Sequence, residues 1–136
     1  MALILLDTTA IVGFLDRDDA LHEVTVTALK AAGAKSSFAA SAVSYAEIMT
    51  GVALGQHQQD VVDGFFADLV RELLPVDRAV AARAGVLRGR RRSLRMPDAL
   101  ILASADLHED VETVLCADGD WPKVQGLSCR VELLRP

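Results

Sequence analysis

The chain has 136 residues, of which 51% are apolar, and a formal net charge of −5. This length and composition predict one folded domain over residues 1–136 and exclude an intrinsically disordered protein. No apolar stretch is long enough to cross a bilayer, and the amino terminus lacks basic residues and is interrupted by Asp7. We therefore expect a cytoplasmic protein with no signal peptide and no membrane partner.

The amino terminus predicts a buried strand that ends on an acid. Leu3 to Leu6 are consecutive large aliphatic residues, and Asp7, Thr8 and Thr9 follow them. Such a run before a polar turn is typical of a parallel strand that is covered on both faces. Asp7 would then lie at the carboxyl edge of the sheet, where open α/β folds bind ligands. The alternative is that Asp7 or Thr8 only caps a helix that begins near Ala10.

The middle of the chain predicts helices that alternate with short strands. In chain order we expect a helix to Leu15, a helix over 21–32, a strand over 38–40, a helix from Ser44, a helix from Asp60, a strand over 73–76 and a helix capped by Asp77. Ser44 and Glu47 have the spacing of a capping box, in which both side chains satisfy backbone donors at a helix start. That interpretation would explain Glu47 without any chemistry.

A concentrated positive charge follows Asp77. Residues 83–95 contain six arginines and no acid: Arg83, Arg88, Arg90, Arg91, Arg92 and Arg95. Such a run is usually a solvated helix face. Its position directly before an acidic helix start is also what a contact with an RNA phosphate backbone requires.

Two further stretches carry acids at the ends of predicted elements. Pro97 and Asp98 favour the start of a helix that is apolar over 99–105 and should be buried. A carboxylate there needs hydrogen-bond donors or a cation, either Arg95 or a metal ion. A second buried strand, over 111–116, is followed by Asp118-Gly119-Asp120, which turn chemistry alone would also explain. The last predicted strand covers 131–134.

The remaining candidate ligands are dispersed. The three histidines, at positions 22, 57 and 108, lack the spacing of metal ligands, and we expect each to be a surface residue. Cys116 and Cys129 are too few for a disulfide framework and too far apart for a metal knuckle, so we expect reduced core thiols.

Asp7, Glu47, Asp98 and Asp118 should meet at one edge, since strand carboxyl ends and helix amino ends share an edge of a parallel α/β layer. Carboxylates crowded there would repel one another unless a cation lies among them. A cluster of oxygen ligands selects a hard ion, Mg²⁺ or Mn²⁺. The pattern therefore predicts metal-assisted chemistry on phosphate esters.

Four motifs in order resemble the PIN-domain family, specifically its VapC-type toxins of toxin–antitoxin pairs. They are the strand before Asp7-Thr8-Thr9, Ser44-Tyr45-Ala46-Glu47-Ile48, Asp98-Ala99-Leu100-Ile101, and Cys116-Ala117-Asp118-Gly119-Asp120-Trp121. The resemblance spans the chain. It implies a three-layer α/β/α domain with a mostly parallel sheet and a Mg²⁺- or Mn²⁺-dependent endoribonuclease.

The resemblance also implies residue roles. The catalytic acids would be Asp7, Glu47, Asp98 and Asp118; Asp7, Asp98, Asp118 and the further acid Asp120 would bind metal, and Thr9 would be the hydroxyl residue nearby. Glu47 would bind metal or activate the attacking water. By its charge and position, and not by the resemblance, the arginine run would hold RNA through Arg88, Arg90, Arg91, Arg92 and Arg95. The implied partners are a VapB-type antitoxin and a second copy of the chain. Cys116 stands where threonine is common, and Trp121 where phenylalanine is.

Two other classes of protein share part of this pattern. A phosphoacceptor signalling domain also has an acidic Mg²⁺ pocket, but it needs paired acids after its first strand and a lysine before a proline. Here Asp7 is unpaired and Lys123 follows Pro122. A PIN-like module that binds RNA or protein without cutting is the second alternative, and the intact set of four acids argues against it.

Overall fold

The computed structural model describes residues 2–136. In chain order its elements are β1 (Leu3–Leu6), α1 (Thr8–Leu15), α2 (His22–Gly33), β2 (Ser37–Ser41), α3 (Ala42–Ala53), α4 (Gln59–Asp68), β3 (Val70–Leu74), α5 (Arg78–Arg90), α6 (Met96–Leu107), β4 (Val111–Cys116) and β5 (Arg130–Leu133), with a short 3₁₀ turn at Trp121–Lys123. Within this part of the chain, no helix has the length and apolar character that crossing a membrane requires.

The strands form a five-stranded sheet in the order β3-β2-β1-β4-β5. Every pairing is parallel, so the prediction of a mostly parallel sheet is confirmed. From β1 the chain builds outward first through β2 and β3, and then on the other side through β4 and β5. The point between β1 and β4 is therefore a topological switch point, where a crevice opens beyond the strand ends.

Alternate residues of β1 enter two separate cores. Leu3 and Leu5 pack in the core that includes α5 and α6, whereas Ile4 and Leu6 pack in the core that includes α1, α2, α3 and α4. Leu5 and Leu6 are both fully buried. Because side chains alternate across a strand, this division requires helices on both faces. The three-layer α/β/α prediction is confirmed.

The predicted capping box at Ser44 and Glu47 is wrong. Ser41, the last residue of β2, has an extended backbone and caps α3, since its side chain accepts a hydrogen bond from the Val43 amide at 3.1 Å. The helix begins directly after the strand, so Ser44 and Glu47 lie inside its first two turns. Glu47 therefore does not cap the helix.

Strand β3 also differs from the prediction, since it covers Val70–Leu74 instead of residues 73–76. It is an edge strand, paired only with β2. Arg71 and Glu72 are exposed, as charged residues on edge strands usually are. Because they interrupt the apolar pattern, the sequence does not predict a strand at these positions. Pro75 lacks an amide donor and lies directly after the strand's last residue.

The histidines and cysteines lie apart, as expected. His22, His57 and His108 are each partly buried; His22 Nδ1 lies 2.9 Å from a backbone carbonyl, and His108 Nε2 lies 3.1 Å from Glu72. Cys116 is buried and Cys129 partly buried, and both thiols are free.

Candidate active site

Asp7 lies at the end of β1 and also caps α1. Its Oδ1 accepts a hydrogen bond from the Ala10 amide at 2.8 Å, and only 2% of the residue is exposed. The two interpretations offered by the sequence, an acid at the sheet edge and a helix cap, are therefore both correct. Helix α1 begins at Thr8, two residues before the predicted start, because Asp7 itself provides the cap.

Burial is the main influence on the charge of Asp7. Burial and, to a smaller extent, the nearby charge of Asp98 raise the pKa of this carboxyl, while hydrogen bonds from Thr9 and Ala10 lower it; together they take it from 3.8 to about 6. A buried carboxylate with an acidic neighbour is stabilised by any cation that enters the space between them. Asp7 thus favours positive charge at this edge.

Thr9 connects the ends of the two central strands. Its hydroxyl oxygen lies 2.8 and 2.7 Å from the two carboxylate oxygens of Asp7, to which it donates. The same oxygen accepts a hydrogen bond from the Ala117 amide, just beyond β4, at 3.2 Å. Thr9 therefore holds the Asp7 carboxylate close to the end of β4, where Asp118 follows Ala117.

Glu47 reaches the same edge from α3. The Thr8 hydroxyl donates a hydrogen bond to Glu47 Oε1 at 2.7 Å, and the fully buried Ser44 hydroxyl lies 3.0 Å from the Thr8 hydroxyl. Ser44 and Glu47 are three residues apart and share a helix face, which faces the start of α1. The sequence gives no signal for the contacts of Thr8 and Ser44, and the spacing of Ser44 and Glu47 predicts a capping box instead.

Asp98 lies in the first turn of α6. The helix starts at Met96, so Pro97 and Asp98 are its second and third residues, one position later than predicted. Arg95 contacts both Asp98 oxygens, at 3.3 and 3.4 Å, and the arginine side chain is 71% exposed. These distances exceed the roughly 2.8 Å of a strong charge-assisted bond. The arginine predicted as a partner is present, but it is held loosely.

Asp118 and Asp120 follow β4 and face different surroundings. Asp118 is exposed, and its Oδ1 accepts a hydrogen bond from the Asp120 amide at 2.8 Å. Asp120 is bound on both oxygens by Arg91, at 2.5 and 3.1 Å, with Ser93 at 3.3 Å. The hydrogen bond from Arg91 holds the pKa of Asp120 below its usual value. Asp120 therefore faces the arginine segment.

The other four acids share their surroundings. The pKa of the Cys116 thiol is raised to about 12, first by burial and then by the charges of Asp7, Asp118 and Asp98. The pKa of Arg95 is raised by its hydrogen bond to Asp98 and also by the charges of Glu47 and Asp118. The fold thus brings Asp7, Glu47, Asp98 and Asp118 to one edge at the switch point between β1 and β4.

The chemistry of this edge fits a hard cation. Its donors are carboxylate oxygens, the set that Mg²⁺ and Mn²⁺ prefer, and the charge of Asp98 raises the pKa of Asp7. As they stand, no three or more His, Cys, Asp or Glu side chains within residues 2–136 are arranged to hold a metal ion. Mg²⁺ commonly retains several waters, so a set of acids that border a shared space suits it without a closed protein shell.

The arginine run divides into paired and unpaired residues. Arg83 Nε lies 2.7 Å from Asp106, while Arg91 and Arg95 bind the acids described above. In the part of the chain that the structure describes, no ion pair involves Arg88, Arg90 or Arg92. The run is therefore neither a uniform solvated face nor a uniform binding surface.

Comparison with known proteins supports a family assignment. Residues 4–127 match the PIN domain family. No curated protein matches the sequence. The fold is similar to VapBC2 from Rickettsia felis bound to a promoter DNA fragment (16% identity, TM-score 0.78, 98% of this chain and 99% of that chain). It is also similar to a toxin–antitoxin complex from Klebsiella pneumoniae (24%, 0.71, 97% and 98%) and to the sarcin-ricin loop cleaving toxin VapC20 from Mycobacterium tuberculosis (19%, 0.71, 93% and 98%).

At these identities the solved structures establish a shared fold, and the family match covers most of the chain. The sheet order, the acids at the switch point and the match over residues 4–127 agree. This chain belongs to the PIN domain family.

Proposed function

We propose that this PIN domain is a Mg²⁺- or Mn²⁺-dependent endoribonuclease, the toxin of a type II toxin–antitoxin pair. The observation that supports the proposal is that Asp7, Glu47, Asp98 and Asp118, from four separate parts of the chain, each lie near enough to Cys116 or Arg95 for their charge to act on that group. A capping role for each acid would not require them to share an edge. Cleavage of the sarcin-ricin loop by one structural neighbour supports RNA as the substrate class.

The residues would divide the work as follows. Asp7, Asp98 and Asp118 would hold the ion, which supplies activation of water near neutral pH and neutralisation of charge on the phosphoryl oxygens. Glu47, held by Thr8, would orient the attacking water and accept its proton. Thr9 would keep the Asp7 carboxylate in place. Asp120, also predicted as a ligand, would join them only after its ion pair with Arg91 opens.

The proposed partners are RNA, a VapB-type antitoxin and a second copy of the chain. Structural neighbours that are toxin–antitoxin complexes support an antitoxin partner. In the proposed complex the antitoxin would cover the acidic edge and the neighbouring apolar helices, which would keep RNA out.

Incubation of the partner-free protein with total RNA and Mg²⁺ or Mn²⁺ tests the proposal. We expect discrete fragments from the wild type and none from Asp7→Asn, which keeps the side-chain shape and the helix cap. The matched control is Asp77→Asn, since Asp77 also caps a helix, α5, but on an exposed surface. Intact RNA with wild-type protein in both metals would contradict nuclease function.

The ends of the fragments test the chemistry independently. Attack by water leaves a 5′-phosphate and a 3′-hydroxyl, which ligation and phosphatase treatment distinguish. A 2′,3′-cyclic phosphate would mean attack by the ribose hydroxyl, and it would refute the roles assigned to the acids.

A further inference from the structure

A basic cleft lies between the end of α5 and the segment after β4. Its volume is about 470 Å³, and its lining includes Arg90, Arg91, Lys123, Gln125 and Gly126, with Leu87 beneath them. No acid lines it. In a protein of net charge −5, a concave surface with three cationic side chains is an unusual local concentration of positive charge.

Two of the three cations are available to a ligand. Arg91 is bound to Asp120, whereas neither Arg90 nor Lys123 forms an ion pair within residues 2–136. Arg90 and Lys123 are both exposed. Two unpaired cations across a concave surface attract an anion more strongly than either does alone, because their potentials add in a cleft with low-dielectric walls.

The loop that forms one wall is held against α5. Gly126 has a φ of 81°, a conformation that side chains with a Cβ rarely adopt, and its carbonyl accepts a hydrogen bond from Arg83 at 2.9 Å. A Cβ on Gly126 would lie 3.9 Å from Arg90 Nη1. The guanidinium of Arg90 is thus beside a fixed backbone turn, and the cleft is formed before any ligand arrives.

Hydrogen bonds connect one wall of the cleft to the candidate active site. Asp120 binds Arg91 through its side chain and Asp118 Oδ1 through its amide, so these residues join the basic wall to the acidic edge. Lys123 also lies near Asp120, since its charge contributes to the lowered pKa of that carboxyl, after the hydrogen bond from Arg91. A polyanion that reaches the acidic edge would have its next charges over the cleft.

We propose that this cleft binds the backbone phosphates of RNA beside the bond that is cut, with Arg90 and Lys123 as the contacts. The inference rests on the proposed function and adds a residue, Lys123, outside the arginine run. The contacts that connect the cleft to an edge suited to phosphate chemistry favour RNA over an acidic protein segment. Phosphate contacts fix the position of a strand without reading its sequence, so the cleft would set register and leave base choice to other residues.

Binding without cleavage is the direct test. A fluorescent single-stranded RNA of mixed sequence is titrated with protein in EDTA by anisotropy, over a series of salt concentrations. The test variant is Arg90→Ala/Lys123→Ala. The matched control is Arg78→Ala, because Arg78 is an exposed arginine at the other end of the same helix, about 18 Å away for twelve residues of rise.

Loss of two phosphate contacts should reduce the slope of log affinity against log salt by about 1.4, since each contact to a single strand contributes about 0.7. The control should keep the wild-type slope. An unchanged slope in the double variant would overturn the proposal. Polyglutamate that binds with the same dependence on Arg90 and Lys123, where RNA does not, would overturn it as well and reassign the cleft to an acidic protein.

The binding assay separates this inference from the proposed function. RNA binding that depends on Arg90 and Lys123, in a protein that fails to cut RNA with metal, would support the cleft and refute the nuclease. Metal-dependent RNA cleavage by the wild type, together with an unchanged salt slope in the double variant, would support the nuclease and refute the role of the cleft.

Discussion

Replacement of Asp7 by asparagine should stabilise the protein while it removes activity. The side chain is 2% exposed and is ionised at neutral pH at the cost of its hydration. Asparagine has nearly the same shape and is as good a helix cap as aspartate. It can keep the hydrogen bond from the Ala10 amide, which lies 2.8 Å from Asp7 Oδ1. The variant therefore removes the charge and one of the two oxygens that accept from the Thr9 hydroxyl.

The size of the effect follows from the pKa of Asp7. A rise in pKa from 3.8 to about 6 means that folding disfavours the ionised form of Asp7, relative to its protonated form, by about 3 kcal/mol of free energy. The folded state binds the proton more tightly than the unfolded state, so the wild type is most stable, as far as Asp7 is concerned, below pH about 4. That stability is lost as the pH rises through about 6. At pH 7 and above we expect Asp7→Asn to gain up to about 3 kcal/mol.

Thermal and urea unfolding across pH provide the measurement. For a domain of this size, 3 kcal/mol corresponds to a rise in Tm of about 10 °C. The difference between variant and wild type should decrease towards zero as the pH falls from 7 to 4. Asp77→Asn is the control: Asp77 caps α5 in the same way, with a hydrogen bond from the Val80 amide at 2.8 Å, but it is exposed. We expect that control to change the free energy of unfolding by less than about 0.5 kcal/mol.

Mn²⁺ should stabilise the wild type at pH 7 and leave Asp7→Asn unchanged, because only the folded wild type offers the buried carboxylate. Two results would refute the conclusion that burial destabilises the ionised form of Asp7. One is an Asp7→Asn variant that is less stable than the wild type at pH 7, and the other is a difference in free energy of unfolding that does not vary with pH.

Three further predictions concern other parts of the chain. Thr8→Val removes the hydrogen bond to Glu47 and should slow RNA cleavage about tenfold in single-turnover assays. Thr8→Ser keeps the hydroxyl and should keep the wild-type rate. Equal cleavage rates in the two variants would mean that Thr8 has no role in the mechanism. Leu102→Ala should lower the free energy of unfolding by about 2–5 kcal/mol in urea, since the side chain is fully buried, and a loss below about 1 kcal/mol would contradict the packing described. Arg83→Ala should cost about 1–3 kcal/mol at pH 7, because the side chain of Asp106, only 8% exposed, loses its ion pair; a neutral effect would mean that the pair contributes nothing.

The sequence was sufficient to locate the two strands that end near Asp7 and Asp118, β1 and β4. Strand β1 is a continuous buried aliphatic run, and β4 is buried apart from Glu112 at its second position; both strands end shortly before an acid. The joint placement of Asp7 and Asp118 followed from the rule that parallel strands share a carboxyl edge. Strand β3 was misplaced because edge strands carry charged residues and lose the apolar signal.

Tertiary contacts explain what the sequence did not reveal. A serine three residues before a glutamate occurs both in capping boxes at helix starts and inside helices. Only the cap at Ser41 shows that Ser44 and Glu47 lie inside the helix. The hydrogen bond between Thr8 and Glu47 joins residues 39 positions apart, and the ion pair between Arg91 and Asp120 joins residues 29 apart. No local pattern encodes such pairs.

The central claim is that carboxylates distant in the chain hold one hard cation. Anomalous diffraction from crystals grown with Mn²⁺ tests it most directly. We expect a Mn²⁺ peak within coordination distance of Asp7 and within direct or water-mediated reach of Asp98 and Asp118. A Mn²⁺ peak elsewhere on the molecule, or none at a Mn²⁺ concentration that supports RNA cleavage, would contradict the claim.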